Sequence, residues 1–248
     1  VYEFYFQAGQ ELHHERLQKN YSSINYTHVA QSLLRQQVDG AVQLIANHPE
    51  KKTYSLGSNP DVTLDLAEIC KKAGRPFYMV GVVHPDMPFM EGEAEVGEEF
   101  FDMIVESPET RQELFAIPKE ALDTTSLMIG FHASQVVQDD GTLQIGIGSL
   151  ADGLVYSMIL RQTENEVYKN LTRRWWSEKG SDTRFDFLHW DPFTKGLYGT
   201  SELIFDGFMH LHRHGILKRM VRDKSGPEIF LNGAFYLGSK EFYQWLRD

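Results

Sequence analysis

Apolar positions along the chain fall into helical faces and short strand-like runs that alternate. Val29, Leu33 and Leu34 recur at helical spacing within Thr27 to Gln37, which predicts a helix. Val38-Asp-Gly40 reads as a turn, and Ala41 to Ala46 as a short apolar strand. A further strand starts at Lys51 and runs into a Gly/Ser/Asn/Pro loop ending at Asp61. Asp61 to Ala73 predicts a helix with Leu64, Ile69 and Cys70 inward, broken by Gly74-Arg-Pro76. Phe77 to Val83 is apolar throughout, the kind of strand buried on both faces of a parallel sheet. His84 to Met90 follows as a loop stiffened by two prolines. Val1 to Lys19 has no clear period.

The alternation resumes further on. Ser126 to Val137 predicts a helix, Asp139-Asp-Gly141 a turn, and Thr142 to Gly148 a strand with Leu143, Ile145 and Ile147 alternating. Ser149 or Asp152 is placed to cap the next helix, which runs through Val155, Met158 and Ile159. Gly196 to Gly207 is a short apolar run with Glu202 at its centre, read as a strand or strand end. Asp206 is then expected to cap a short helix closed by Gly215. Gly226-Pro227 turns the chain, Ile229 to Leu237 reads as a strand, and Ser239 caps a last helix. Repeated alternation of this kind is the α/β pattern. Asp39-Gly-Ala-Val-Gln-Leu44 echoes Asp140-Gly-Thr-Leu-Gln-Ile145, as two related halves would. Between the halves, Glu91 to Thr125 is acidic and broken by Pro108 and Pro118, a composition suited to a crossing. The expected organisation is an N-terminal α/β domain at 1–107, a linker at 108–125 and a C-terminal catalytic α/β domain at 126–248.

Composition narrows the function. The 248 residues suffice for one large or two modest domains. A formal net charge of −11 argues against a general nucleic-acid binder. Cys70 is the single cysteine, which excludes an internal disulfide and a cysteine-based zinc site and suits a reducing, cytoplasmic setting. No apolar run approaches the roughly 18 residues of a membrane span, so no membrane partner is expected. The chain starts at Val1 rather than Met, and its last run stops within a helical pattern. It reads as an internal piece of a longer protein.

Several residues carry possible chemistry. Glu202 between apolar neighbours is either an ion-pair partner or a buried reactive carboxylate able to act as a covalent nucleophile. Gly146-Ile-Gly148 stands between a strand and a helix, where glycines admit a ligand close to backbone N–H groups. The loop also satisfies G-x-G-x-x-G/A. Glu164 and Glu166, some twenty positions on, fall in a polar helical run rather than after a second strand, which argues against a dinucleotide site. His210, His212 and His214 lack the glutamate of H-E-x-x-H, so they are read as ordinary histidines and no metal is expected. Arg173-Arg-Trp-Trp176 could stack on a base but reads better as a helix end with packed tryptophans. Lys218, Arg219 and Arg222 are assigned to solvent.

Taken together, four stretches resemble one family. Gly141 to Leu150 is similar to the glycine loop of the acetyl-CoA hydrolase/transferase family, which typically reads LQ-x-GIG-A-I-P. Thr200 to Gly207 resembles its H-T/S-E-M-x-x-D-G motif, Phe235 to Lys240 its F-x-x-G-S-K/R segment, and Val83 to Pro88 its V-N-P-x-M-P loop. Ala151, Leu203 and His84 depart from the usual Pro, Met and Asn. The resemblance implies two related open α/β domains with mostly parallel or mixed sheets flanked by helices, both incomplete in this chain. It implies CoA transfer between an acyl-CoA and a small carboxylate through a glutamyl-CoA thioester on Glu202. Hydrolysis of the same intermediate, or a non-catalytic CoA- or nucleotide-binding module, are the alternatives. Gly146, Ile147 and Gly148 would supply backbone donors near the oxyanion, and Pro85, Met87, Asp206 and Gly207 are candidate substrate contacts. Coenzyme A enters as substrate, with no permanently bound cofactor and no metal. A homo-oligomer is compatible with this reading.

Overall fold

A computed structural model of the chain describes residues 13–117, 119, 121–178, 187–222 and 226–247. The first part of the chain runs α1 (Glu15–Lys19), α2 (Val29–Arg35), β1 (Gly40–Asn47), β2 (Thr53–Ser55), α3 (Thr63–Lys72), β3 (Tyr78–Val83), β4 (Glu95–Gly97) and β5 (Met103–Val105). Its strands form one mixed sheet in the order β4-β2-β1-β3-β5. β1, β3 and β5 are parallel, while β2 and β4 pair antiparallel at one side.

Thr63 at the start of α3 donates its hydroxyl to Gln43 of β1 at 2.9 Å, and Leu64 packs on the Ile45, Leu56 and Val83 cluster with Phe100 and Phe101. Side chains alternate across a strand, so the register places Gln43, Ile45, Gly81 and Val83 on this covered face. The other face, with Val42, Tyr78 and Met103, stands open, and Val42 is 74 % exposed. Phe77 to Val83 is therefore buried on one face rather than two. In α3 the inward residues are Leu66 and Cys70, whereas Leu64 and Ile69 are half-buried. The stretch 91–107 is no crossing: it supplies β4 and β5 to the first sheet.

The second part comprises α4 (Thr124–Ser134), β6 (Thr142–Leu143), α5 (Ser149–Thr163), α6 (Asn165–Glu178), β7 (Tyr198–Ile204), α7 (Asp206–Arg213), β8 (Val221–Arg222), β9 (Glu228–Ile229), β10 (Leu231–Tyr236) and α8 (Lys240–Trp245). β7 is central in an all-parallel sheet of order β10-β7-β6. Its core joins Leu143, Val155, Met158, Leu197, Ile204, Phe208, Leu211 and Phe242. Burying one such side chain contributes about 1.5–3 kcal/mol. α7 ends as the sequence predicts: Gly215 has φ +67, its N–H bonds to the His212 carbonyl, and Ile216 N–H bonds to the Leu211 carbonyl. That is a Schellman turn with Leu211 and Ile216 both buried.

α4 and α5 touch backbone to backbone. A Cβ on Gly130 would lie 2.2 Å from the Gly153 carbonyl carbon, and one on Gly153 would lie 2.6 Å from the Ser126 oxygen. Arg161 of α5 is buried and satisfied by carbonyls: Nε donates to Asp191 at 2.7 Å, and Nη1 to Ser134 and Val137 at 3.0 and 2.7 Å. The turn before β6 is held by Asp139. Its carboxylate accepts from the Thr194, Lys195 and Gly196 amides and the Thr194 hydroxyl at 2.8–3.0 Å. Burial works against ionisation there, but those donors outweigh it and hold the Asp139 carboxyl down at about 2.

Two measurements follow. Gly130→Ala should lower stability by about 1–3 kcal/mol or more in urea unfolding, because neither backbone can retreat without opening the helix pair. The folded Asp139 carboxyl lies below its unfolded value of 3.8, so its contribution is whole above about pH 4 and is lost as pH falls toward 2. After allowance for solvent screening that contribution is roughly 1–2 kcal/mol. Asp139→Asn should show that loss at pH 7 and a flatter acid limb.

Candidate active site

In open parallel sheets ligands gather where the strands end at their carboxyl termini. Three such ends meet here. β6 leads through residues 144–148 into α5, β7 into α7, and β10 through Gly238 and Ser239 into α8.

The predicted strand at 142–148 stops at Leu143. Ile145 still points into the core, but Gly146, Ile147 and Gly148 leave the sheet and are exposed. The Ser201 hydroxyl of β7 donates to the Ile145 carbonyl at 2.8 Å, fastening this bend to the strand that carries Glu202. Gly148 itself is the N-cap of α5, with φ +110 and ψ 175, so neither Ser149 nor Asp152 caps that helix. Ser149 is its first residue. Asp152 lies in the first turn, where burial raises its carboxyl. Asp206 nearby adds to the rise, and Lys119 and His210 oppose it.

Glu202 lies on β7, two residues before the strand ends, next to Ser201. The expected burial is not found: the side chain is exposed, and no described residue forms an ion pair with it. Its apolar neighbours Ile204 and Phe205 enter the core, while the carboxylate emerges at the sheet's end.

Asp206 and Gly207 were candidates for substrate contact, and Asp206 for the cap of α7. Phe205 occupies the cap position, without a side-chain bond, and Asp206 is the first helical residue. The residue is only 4 % exposed, and its carboxylate accepts from the Ser239 amide at 3.1 Å and from the Ser239 hydroxyl. Lys119 Nζ lies 3.6 Å from it. Gly207 is a packing residue: a Cβ there would meet the Phe205 ring at 2.6 Å.

Loops of the first part also reach this region. The Pro85 carbonyl accepts from Arg247 at 2.8 Å. Met87 turns inward, its sulfur 3.7 Å from the Ser58 hydroxyl, so it does not face open space. His84 is buried. Its Nδ1 accepts from the Asp86 amide at 3.1 Å while Nε2 donates to the Gln112 carbonyl at 2.6 Å, which fixes the orientation of the ring. The sequence alone assigns no role to the loop before α3. Its Ser58 carbonyl and Asn59 side chain both accept the Tyr236 amide at 3.3 Å, which seats the loop at the carboxyl end of β10. The run of breakers Gly57-Ser-Asn-Pro60 between a strand and a helix was the available signal. A cavity of about 440 Å³ lies alongside, lined by Asp86, Glu113, Lys240, Glu241, Tyr243 and Arg247 among others.

The remaining candidates are structural. His212 stacks on Phe230 at 4.6 Å and accepts from Trp245 Nε1 at 3.3 Å, while His214 Nδ1 donates to the His210 carbonyl at 2.7 Å. Trp175 packs against His132, and Trp176 Nε1 bonds to Gln135 at 3.1 Å. Arg219 is not a solvent residue: it donates to the Gly141 carbonyl at 3.1 and 3.2 Å and to Thr142 Oγ1 at 2.8 Å, bracing the start of β6. Among the described residues no group of three or more His, Cys, Asp or Glu is placed to hold a metal ion, and no helix is long and apolar enough to cross a membrane.

No family model matches the chain. Solved structures match over its whole length. They include RipA from Yersinia pestis (19 % identity, TM-score 0.67, 49 % of that chain) and a 4-hydroxybutyrate CoA-transferase from Porphyromonas gingivalis (23 %, 0.61, 53 %). The fold is thus CoA-transferase-like. Among curated proteins, the 4-hydroxybutyrate coenzyme A transferase of Clostridium kluyveri is 25 % identical over 203 residues, 82 % of this chain and 37 % of that one. The resemblance to the CoA-transferase and acetyl-CoA hydrolase family, read from four motifs, is borne out by both sequence and fold. The chain spans about a third to a half of the length of these relatives.

Gly148→Ala isolates the demand on the bend. Nothing lies within 4 Å of a Cβ there, so the cost of about 1–3 kcal/mol expected in urea unfolding is backbone strain alone.

Proposed function

We propose that this chain forms the core of a CoA-transferase in which Glu202 is the nucleophile. The reading is supported by two observations: Glu202 is exposed near the carboxyl end of a central parallel strand, and the adjacent Ser201 ties that strand to Ile145 at the start of the Gly146–Gly148 bend. Similarity to a 4-hydroxybutyrate CoA-transferase points the same way.

In the proposed sequence, a Glu202 carboxylate oxygen attacks the acyl-CoA carbonyl. The resulting oxyanion is held by amide hydrogens of the bend, and a preorganised donor of this kind is worth about 3–4 kcal/mol. The C–S bond breaks, CoA leaves as thiolate, and an acyl–glutamyl anhydride remains. The thiolate then attacks the glutamyl carbonyl, releases the first carboxylate and leaves glutamyl-CoA. An acceptor carboxylate attacks that thioester to form a second anhydride, and the returning thiolate takes the new acyl group and restores Glu202. Holding the CoA body at a distance from the reacting atoms helps drive the central steps.

Exposure of Glu202 favours one competing outcome, because water reaching the thioester would make the protein an acyl-CoA hydrolase. Acetyl-CoA supplied without acceptor distinguishes them: CoA release marks the hydrolase, and release only with added carboxylate marks the transferase. Glu202→Gln should abolish the mass adduct of covalently attached CoA at residue 202. A parent protein that binds acetyl-CoA and forms no adduct under turnover conditions is a binding module, and the proposal falls.

A further inference from the structure

Two motifs far apart in sequence form one unit in space. The ladder between β7 and β10 ends at Ile204 and Tyr236, and the Leu237 amide adds one bond to the Ile204 carbonyl at 3.0 Å. Beyond that point the Asp206 carboxylate takes over. It receives the Ser239 amide at 3.1 Å and the Ser239 hydroxyl, while the same hydroxyl oxygen accepts the Phe242 amide at 3.2 Å and so caps α8. Gly238 makes the approach possible. A Cβ there would lie 2.8 Å from the Asp206 carboxylate and 2.6 Å from the Phe242 ring. One buried carboxylate therefore fixes the start of α7 to the start of α8.

Its place matters more than its strength. Only Leu203, Ile204 and Phe205 separate Asp206 from Glu202, and Ile204 and Phe205 are locked in the core. On the far side of the strap, α8 supplies Lys240, Glu241, Tyr243 and Gln244 to the wall of the 440 Å³ cavity. Asp206 thus links the strand end that carries Glu202 to the helix that forms that wall. Its own oxygens are occupied by the Ser239 donors and nearly closed to solvent.

We infer that Asp206, acting through Ser239, is a positioning residue that holds Glu202 in register with the α8 wall of the cavity, and hence with an acyl-CoA bound there. This rests on Glu202 being the nucleophile. A misplacement of about 1 Å costs on the order of a hundredfold in rate. In Asp206→Asn an NH₂ replaces one acceptor, and one of the two Ser239 donors loses its partner.

The test uses the full chain and acetyl-CoA. Asp206→Asn and Ser239→Ala should load CoA onto Glu202 about ten- to a hundredfold more slowly, with half-saturation by acetyl-CoA changed less than about threefold. Ser239→Thr keeps a hydroxyl at the cap and should restore the rate. Amide exchange should quicken together at 203–206 and 238–242 in Asp206→Asn while α4 and α5 keep their protection. Loading of Asp206→Asn at the parental rate overturns the inference, as does exchange that rises throughout the molecule or a Ser239→Thr variant as slow as Ser239→Ala. A parent protein that never loads overturns the Glu202 reading itself, an outcome distinct from a loaded parent with an equally loaded variant.

Discussion

Only two residue pairs join β6 to β7, and the hydroxyl of Ser201 on the carbonyl of Ile145 keeps the two segments together after that ladder has ended. The buried Ile145 side chain holds the same segment from the core side. The rest of the arrangement depends on this short seam. Asp139 and Arg219 brace it at the amino end, the former by gripping the approach to β7 and the latter by gripping Gly141 and Thr142. β10 completes the sheet on the other side, so β7 has partners on both edges and its carboxyl end is a fixed point.

The two halves share a plan that the short Asp-Gly repeat suggests. Gly40 opens β1 and Gly141 precedes β6, and each strand lies parallel to a later one across a helical crossover. Each half then sends a glycine-containing loop from a strand into a helix: Gly57 to Pro60 before α3, and Gly146 to Gly148 before α5. The first of these loops reaches the end of β10, and the second is tied to β7. Carboxyl ends of the second sheet thereby receive loops from both halves.

What the sequence made legible was periodicity. The helices at 29–35, 63–72 and 149–163 and the strands β1, β3 and β7 follow from apolar spacing, because burial of one face imposes that spacing directly. The Schellman end of α7 was legible for a similar reason, since few residues other than glycine tolerate its φ. Helix beginnings were not. Asp206, Ser149 and Asp152 all have capping chemistry, yet a cap is decided by which residue turns its backbone out of the helix, and in α5 that residue is Gly148. The Asp206 carboxylate was drawn instead to Ser239, 33 residues away, a partner no local rule names. Likewise Glu202 sits among apolar letters, and only the end of the sheet reveals that its neighbours go inward while it does not. Strands β4 and β5 were missed because three-residue edge strands in acidic sequence carry almost no period.

Gly148 combines a backbone available to few L-residues with empty space where a side chain would stand. The constraint there is one of handedness and not of volume. A mirror-image alanine, introduced by chemical ligation, has its own energy minimum near that φ and ψ. Such a residue would remove the flexibility that glycine lends the unfolded chain, leaving the bend stiffer than the natural protein can make it with the twenty encoded amino acids.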